Sequence, residues 1–456
     1  MRQDTIAAIA TPWGQGAIGI VRLSGPQALA IAGRLFRPQT PRPGPWPSHR
    51  LVLGRIVNPV SGEVVDEVLL AYMRAPRSYT REDVVEIQCH SGFAVLRQIL
   101  QLVLEQGARL AQPGEFTLRA FLSGRLDLTQ AEAVLEVIQA RGEAGLKVAA
   151  RHLAGGLGQK LTDLRQAILD LLARVEADLD FGEELPPLDY DDLLPVLAEI
   201  SAELDILVQS YGRGRILREG LQVVLAGRPN VGKSSLLNRL LQTDRALVTD
   251  IPGTTRDIIA EQFTLDGIPV CLADTAGLRQ TQDTVEALGV ARTQAYLSQA
   301  DLILYLLDAS QPWQGDDTAN LEQLRGQRVV LVLNKCDLPP VLTVPQVAAA
   351  WPQPIVAVSA LTGAGLPELR QVIVQQALGQ QAEPAGEIVT QARHHQHLAQ
   401  CLQSLHRVRT ILHSQGLPEL AALELQAAAQ ELGTILGLEI GEEVLDRIFS
   451  QFCLGK

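Results

Sequence analysis

A multidomain chain is predicted: α/β at its start, a helical bundle beyond that, and a doubly wound α/β domain inserted into the helical part. Three features of the sequence carry this. Residues Gly227-Arg228-Pro229-Asn230-Val231-Gly232-Lys233-Ser234 fit the phosphate-loop pattern G-x-x-x-x-G-K-[S/T]. An apolar strand at 221–226 leads into them and a helical stretch at 235–241 leads out. Between 219 and 378, apolar strands at 223–226, 270–273, 302–307, 329–333 and 355–358 alternate with helices, the pattern of a mostly parallel sheet with ligand loops at the strand C-termini. On both sides of that block, apolar residues step by three and four, as amphipathic helices require.

Taken in order, residues 1–119 read as a mixed α/β domain. Short β-rich runs, Ile18-Gly19-Ile20-Val21-Arg22-Leu23 and Val84-Val85-Glu86-Ile87-Gln88, lie between turns. Residues 94–106 place Leu96, Ile99, Leu100 and Val103 on one helical face. Five prolines within 38–47 exclude helix and central strand, so that stretch is a loop. As residue types alone, Arg22 and Glu86 each read as an exposed salt-bridge partner. From 120 to 218 the period is helical: Leu161, Leu164, Ile168, Leu171, Leu172, Val175 and Leu179, then Leu193, Leu197, Ile200, Leu204 and Leu207. An acidic, proline-containing loop is expected between them at 183–192. The doubly wound domain occupies 219–378. Helical character returns in 379–456, where Leu398, Leu402, Leu405, Val408 and Leu412 form a face. The two flanking amphipathic segments are expected to pack together, each covering the other's apolar side, with two separate helical modules as the alternative. His394, His395 and His397 read as a solvated helix face rather than a metal site, because no further ligands sit nearby.

Composition narrows the class. The 456 residues suffice for about three domains. A formal charge of −12 leaves no global attraction to nucleic acid, so such contact falls to a local basic patch or to a partner. The five cysteines lack metal-ligand spacing and fit free thiols in a reducing compartment. Asp4 and an apolar run confined to 6–10 argue against a secretory signal, and no stretch approaches the roughly eighteen apolar residues of a membrane span. A cytoplasmic protein is expected.

The motifs after the phosphate loop identify the nucleotide. Backbone N–H groups of the loop and of the following helix N-terminus suit a polyphosphate. Asn230, Val231, Gly232, Lys233, Ser234 and Ser235 are the expected contacts there, with Lys233 on the β/γ-phosphates and Ser234 on Mg²⁺. Asp274-Thr275-Ala276-Gly277 follows a strand, as an aspartate that holds Mg²⁺ through water and a glycine N–H at the γ-phosphate should. Asn334-Lys335-Cys336-Asp337 offers an aspartate that can accept both N1–H and the 2-amino group of guanine, which adenine cannot present. Ser359-Ala360-Leu361 suits a backbone contact to O6. The order of these elements on one sheet implies a Ras-like GTPase. In Ras-like GTPases a glutamine after the D-x-x-G glycine orients the attacking water; here Leu278 cannot. Thr249-Asp250-Ile251-Pro252-Gly253-Thr254-Thr255-Arg256-Asp257 reads as the first switch, with Thr255 on Mg²⁺. Asn230 suggests a K⁺ ion near the β/γ bridge, neutralising developing charge as an arginine finger does. A side-chain hydrogen bond that stabilises the loop is the other reading of Asn230.

Together with Asp4-Thr5-Ile6, Gly19-Ile20-Val21-Arg22, Pro113-Gly114-Glu115-Phe116, Leu126-Asp127-Leu128 and the terminal Cys453-Leu454-Gly455-Lys456, these motifs resemble the MnmE (TrmE) family of tRNA-modification GTPases over essentially the whole chain. The resemblance implies a homodimer built through an N-terminal domain similar to tetrahydrofolate-binding domains. It implies a folate carrying a one-carbon unit (5-formyl or 5,10-methylene), held by Arg22, Glu86, Arg125 and Lys456. Arg125 stands where some members carry lysine, and an arginine can still pair with a folate carboxylate. Leu454 stands where isoleucine is commoner. The resemblance also implies K⁺-stimulated hydrolysis on G-domain dimerisation, with Asn230, Thr249, Ile251 and Thr254 around the K⁺. Glu286 matches the water-activating base, and Arg256 and Cys453 complete the catalytic candidates; Cys453 could serve as a nucleophile or support the site by packing. The family works with a flavoprotein, MnmG (GidA), in a heterotetramer, where FAD and NADH are expected, to modify C5 of the wobble uridine of tRNA. A ribosome-assembly GTPase acting as a binding switch is the alternative reading.

Overall fold

The structure is a computed structural model, and it describes residues 4–12, 14, 16–40, 44–181, 188–244, 260–274, 297, 299–351, 354–379, 386–414 and 416–456. The chain divides into two compact units. The first comprises Met1–Leu135, His152–Leu169 and Ala429–Lys456, and the second Glu136–Arg151 and Asp170–Ala428.

The first unit is built on a seven-stranded sheet of order β3-β4-β5-β6-β2-β1-β7. Its strands are β1 (Ile6–Ile9), β2 (Ile18–Ser24), β3 (Phe36–Pro38), β4 (Leu51–Val57), β5 (Val64–Met73), β6 (Val84–His90) and β7 (Arg109–Leu110). Period-two burial on β4, with Val52, Gly54 and Ile56 inward, marks a sheet covered on one side. Helices α1 (Ala28–Leu35) and α2 (Phe93–Glu105) supply that cover, burying Ile31 and Leu35, and Leu96, Ile99, Leu102 and Val103, against Val21, Leu23, Val85 and Ile87. Leu100, assigned to the same face as Leu96, is only partly buried, and Leu102 takes its place. Pro38 ends β3, which lies at the sheet edge, where a missing N–H leaves no ladder bond unmade. Helix α3 (Glu115–Leu122) is tied to the sheet by charge. Arg109 meets Asp4 at 2.7 Å and Glu115 at 2.6 Å, and Arg119 meets Asp4 at 2.8 Å and Glu82 at 3.2 Å.

The helical part consists of α4 (Leu128–Gln139), α5 (Glu143–Leu153), α6 (Gly156–Phe181), α7 (Leu194–Glu219) and, after the inserted sheet, α12 (Ala392–His413), α13 (Pro418–Leu436) and α14 (Glu442–Phe449). Within the second unit α7 and α12 do pack together. The ring of Tyr211 stacks on His395 at 4.5 Å, and Gly214 lies against the Val389 carbonyl where a side chain would not fit. The histidine cluster differs from the expectation of a solvated face: His394 is 2% exposed, because it falls on the same stripe as Leu398, Cys401 and Leu405. Leu179, placed on the buried face of α6 by periodicity, is 37% exposed. Of the expected loop at 183–192, residues 190–193 form a short 3-10 turn that Asp189 caps through the Asp191 N–H, and 182–187 lie outside the described residues.

The inserted sheet has six strands in the order β13-β12-β11-β8-β10-β9. These are β8 (Leu221–Gly227), β9 (Ala260–Leu265), β10 (Ile268–Asp274), β11 (Leu302–Asp308), β12 (Val329–Asn334) and β13 (Ile355–Ala357). Five are parallel. β9, which periodicity did not reveal, runs antiparallel to β10 at the edge. The central strands are apolar on both sides because both faces are covered. Leu225, Leu304 and Val332 pack under α8 (Lys233–Asp244) and α11 (Leu366–Leu378), while Ile303, Tyr305 and Leu331 pack under α9 (Gly315–Gln323) and α10 (Val344–Ala350).

Candidate functional site

The phosphate loop leaves the C-terminal end of β8 and turns directly into α8. Asn230 has φ +63° and Gly232 φ +96°, so the loop reverses sharply before the helix begins. Gly232 has a second reason to be glycine: a Cβ there would overlap the Asn334 amide nitrogen. The Lys233 ammonium is folded back on its own loop, donating to the carbonyls of Gly227 at 2.8 Å and Arg228 at 2.7 Å. These carbonyls hold the charge in place where phosphate oxygens would compete for it. Val231 is buried, whereas Asn230, Ser234 and Ser235 are exposed at the mouth of the loop.

The base-side motifs close on the same end of the sheet. Asn334 is 1% exposed and spans two loops: its Nδ2 donates to the Val231 carbonyl at 2.8 Å and its Oδ1 accepts from the Ala360 N–H at 3.0 Å. It thereby fixes the phosphate loop and the Ser359-Ala360 loop to each other. Asp337 accepts from the Ser359 hydroxyl at 2.5 Å, which aims its carboxylate. Lys335 has φ +65° and its ammonium meets the Asp308 carboxylate at 2.6 Å. Asp308 sits at the end of β11. Burial pushes its carboxyl up, but Lys335 and Ser310 outweigh that and hold it below its usual range. Asp308 was not singled out from the sequence; its place at a strand C-terminus, one strand before Asn334, was the available signal.

A second cluster forms in the first unit from residues at opposite ends of the sequence. Arg22 on β2 and Glu86 on β6 are directly paired in register, and their side chains meet at 2.9 Å. They are 17% and 18% exposed, so this is an ion pair sunk into a site, whereas residue type suggests that each is an exposed salt-bridge partner. Arg22 also donates to the Gly455 carbonyl at 3.1 Å and lies 5.7 Å above the Phe116 ring. Gly455 has φ +94° and passes so close to Ile9 that a Cβ would overlap its carbonyl oxygen. The Phe116 N–H donates to the Lys456 carbonyl at 3.2 Å. Burial and the neighbouring Arg22 lower the Lys456 ammonium below its usual range, with Glu86 and Cys453 acting the other way. Cys453 is exposed beside this group. Arg125 lies 4.8 Å over the Tyr79 ring and donates to the Tyr79 carbonyl at 3.1 Å. Tyr79 is itself perturbed by burial, which raises its hydroxyl, and by Arg125 and Arg22, which lower it. The structure thus gathers Arg22, Glu86 and Lys456, and sets Arg125 on Tyr79, whose hydroxyl both arginines influence. Tyr79 and Phe116 are aromatic residues of this cluster that sequence reasoning did not assign to it.

Thr249, Asp250, Ile251, Pro252, Gly253, Thr254, Thr255, Arg256, Thr275, Ala276, Gly277 and Glu286 lie outside the described residues, and of Asp274 only the backbone, at the end of β10, is described.

The doubly wound sheet, the phosphate loop at its central strand and the Asn334-to-Asp337 and Ser359-Ala360 loops beside it define a guanine-nucleotide hydrolase. Two family profiles cover nearly all of the chain: one described as the N-terminus of the GTP-binding protein TrmE, over residues 5–125, and one described as the MnmE helical domain, over residues 128–453. Proteins described as tRNA modification GTPase MnmE are similar end to end. That of Syntrophobacter fumaroxidans is 48% identical over 99% of this chain and 98% of its own. Those of Moorella thermoacetica and Carboxydothermus hydrogenoformans are 48% and 46% identical, each over 100% of both chains. Among solved structures, the G domain of the T. maritima FeoB iron transporter is 30% identical, covers 34% of this chain and 98% of that one, and has a TM-score of 0.27. The chain belongs to the MnmE family of tRNA modification GTPases, and it is a GTP hydrolase with a part in tRNA modification. Among the described residues, no helix is long and apolar enough to cross a membrane.

Proposed function

We propose that the protein hydrolyses GTP to drive modification of C5 of the wobble uridine (position 34) of certain tRNAs, adding an aminomethyl or carboxymethylaminomethyl group with a one-carbon unit carried on tetrahydrofolate. It acts in the cytoplasm as a homodimer joined through the N-terminal domain, and with a flavoprotein of the MnmG (GidA) kind that supplies FAD and NADH chemistry. The domains are those read from the sequence, 1–119, 120–218, 219–378 and 379–456. The observation that carries the folate reading is the convergence of Arg22, Glu86 and Lys456 around Gly455. A reduced folate presents a polar pterin at one end and glutamate carboxylates at the other. Glu86 suits the pterin N–H groups, Arg22 and Lys456 suit oxygen acceptors, and Arg125, set on Tyr79, suits a carboxylate. The site therefore fits the group chemically.

At the nucleotide, Ser234 and Thr255 are the residues that would hold Mg²⁺, and Asn230, Thr249, Ile251 and Thr254 those that would hold K⁺. Bound there, the two cations supply positive charge to the phosphate oxygens. Lys233 leaves its loop carbonyls for the β/γ-phosphates. Glu286 takes a proton from water as the water oxygen bonds the γ-phosphorus, and the β/γ-bridging oxygen leaves on GDP. Glu286 is needed because Leu278 can neither accept nor orient that proton. Arg256 and Cys453 are proposed in supporting catalytic roles.

The decisive measurement is mass spectrometry of tRNA nucleosides from a strain lacking the protein. Wobble uridines without the C5 substituent are expected; a normal profile overturns the assignment. Titration of the purified protein with 5-formyltetrahydrofolate should show binding that Arg22→Ala abolishes. An unchanged affinity removes the cluster from the folate site.

A further inference from the structure

The phosphate loop is held from a side that the nucleotide motifs do not account for. Arg228 follows the first glycine of the loop, and its side chain reaches Asp317. The guanidinium Nε donates to Asp317 Oδ1 at 3.0 Å. Asp317 is 1% exposed and lies in the first turn of α9, where its other oxygen accepts from the Gln314 N–H at 3.2 Å as half of a capping box. The Tyr305 hydroxyl, from the centre of β11, reaches the same Oδ1 at 3.3 Å and in turn accepts from Asn320 at 3.3 Å. Burial and the adjacent carboxylate push the Tyr305 hydroxyl up to about 12, so it stays protonated and keeps donating. At its backbone, Arg228 is one of the two residues whose carbonyls receive the Lys233 ammonium, at 2.7 Å, the other being Gly227.

We propose that Asp317, through Arg228, is a positioning residue for the phosphate loop: it anchors the loop laterally to α9 and β11, and so sets where Lys233 waits for the β/γ-phosphates. A buried ion pair is a poor source of net stability, since apolar side chains of similar volume often serve as well. What such a pair supplies here is a fixed direction, because a planar guanidinium and a capped carboxylate meet in few geometries. The loop needs that direction. It contains left-handed residues at Asn230 and Gly232, and the hydrogen bond from Asn334 reaches only its far side, at Val231.

The test compares full-length Arg228→Met, Asp317→Asn, the double variant and Arg228→Lys for GDP affinity, GTP KM, kcat and thermal midpoint. Each single variant should raise KM and weaken GDP binding by about tenfold, the scale of one charge-assisted hydrogen bond, with kcat changed by less than about twofold. The double variant should be no worse than the worse single, because both break one linkage. Arg228→Lys should recover only part of the loss, since an ammonium on a flexible stem lacks the fixed plane of the guanidinium. Tyr305→Phe, which keeps the ring, should shift KM in the same direction by a smaller factor and supplies the readout if Asp317→Asn fails to fold. A lowered thermal midpoint with unchanged KM and GDP affinity, or single effects that multiply in the double variant, overturns the proposal.

Discussion

Gly455 shows how one residue without a side chain decides whether the terminal segment can reach its site. Its left-handed backbone, φ +94°, and its contact with the Ile9 carbonyl both reject a Cβ. Gly455→Ala should therefore lift the tail away from β1 and break the bond from Arg22 to the Gly455 carbonyl. The Phe116 amide, which donates to Lys456, should then exchange its hydrogen at least about tenfold faster, reporting local opening rather than global unfolding. Unchanged protection at Phe116 would show that the tail tolerates the methyl group. Glu115 gives a prediction in pH. Burial raises its carboxyl, but Arg109, the Gln112 N–H and Arg119 prevail, and the folded-state pKa lies below the ordinary 4.5. A carboxyl depressed by folding binds fewer protons in the folded state than in the unfolded one. Its stabilisation is fully present above the ordinary value and is lost as pH falls through the depressed one. Glu115→Gln should cost about 2 kcal/mol at pH 7 in urea unfolding, and the difference from the parent protein should be smaller at about pH 3, below the ordinary value, than at pH 7. An equal gap at both pH values would mean that packing, not charge, is what the substitution removes.

At the scale of elements, the α7–α12 pair is the clearest structural test of the inserted arrangement. Leu405 is fully buried on α12, on the stripe that includes Leu398, Cys401 and Val408. Leu405→Ala should cost about 2–5 kcal/mol, the usual range for a large-to-small change in a close-packed core. A loss below about 1 kcal/mol would indicate that the stripe is loosely packed. These helices were legible in the sequence because a three-and-four period sustained over more than two turns matches neither the alternation of a strand nor the polarity of a loop. The nucleotide loops were legible for a related reason: each is a short contiguous motif placed after an apolar strand. The strands of the first unit were harder. β4 and β5 alternate inward apolar residues with an outward mixture, Leu51, Leu53 and Val64 included, which blurs the period-two signal. β9 was missed because an edge strand needs only one covered side and one hydrogen-bonded neighbour. The cluster at Arg22 could not be seen as local chemistry at all, since its contact with Gly455 joins positions 433 residues apart. Only the whole-chain resemblance linked them, and it did not include Tyr79 or Phe116.

For the whole molecule, the open question is where the missing transition-state charge comes from. The chain carries a formal charge of −12, and of the two described cations in the loop that receives the phosphates Arg228 is paired with Asp317, which leaves Lys233. Leu278 occupies the position at which Ras-like GTPases keep a water-orienting glutamine. Hydrolysis without further help would then be slow, because among the described residues Lys233 is the cation left to meet charge developing at the β/γ bridge beside the proposed Mg²⁺. The proposed K⁺ answers this with a fixed cation held in part by Asn230, whose left-handed backbone and exposed position at the loop mouth leave its amide available. Replacing K⁺ by Na⁺ at constant ionic strength should lower the GTPase rate at least about tenfold, a fraction of what an arginine finger contributes. Asn230→Ala should bring the K⁺ rate down to the Na⁺ level while GDP affinity changes by less than about threefold, since the amide is assigned to the cation rather than to the ground-state phosphates. Holding ionic strength fixed matters, because screening of an acidic protein would otherwise shift with salt concentration. Equal rates in the two salts would remove the cation from the site and return Asn230 to the role of a loop-stabilising side chain. The charge would then have to come from Arg256 or from a second molecule, and a dependence of the specific rate on protein concentration would distinguish those two sources.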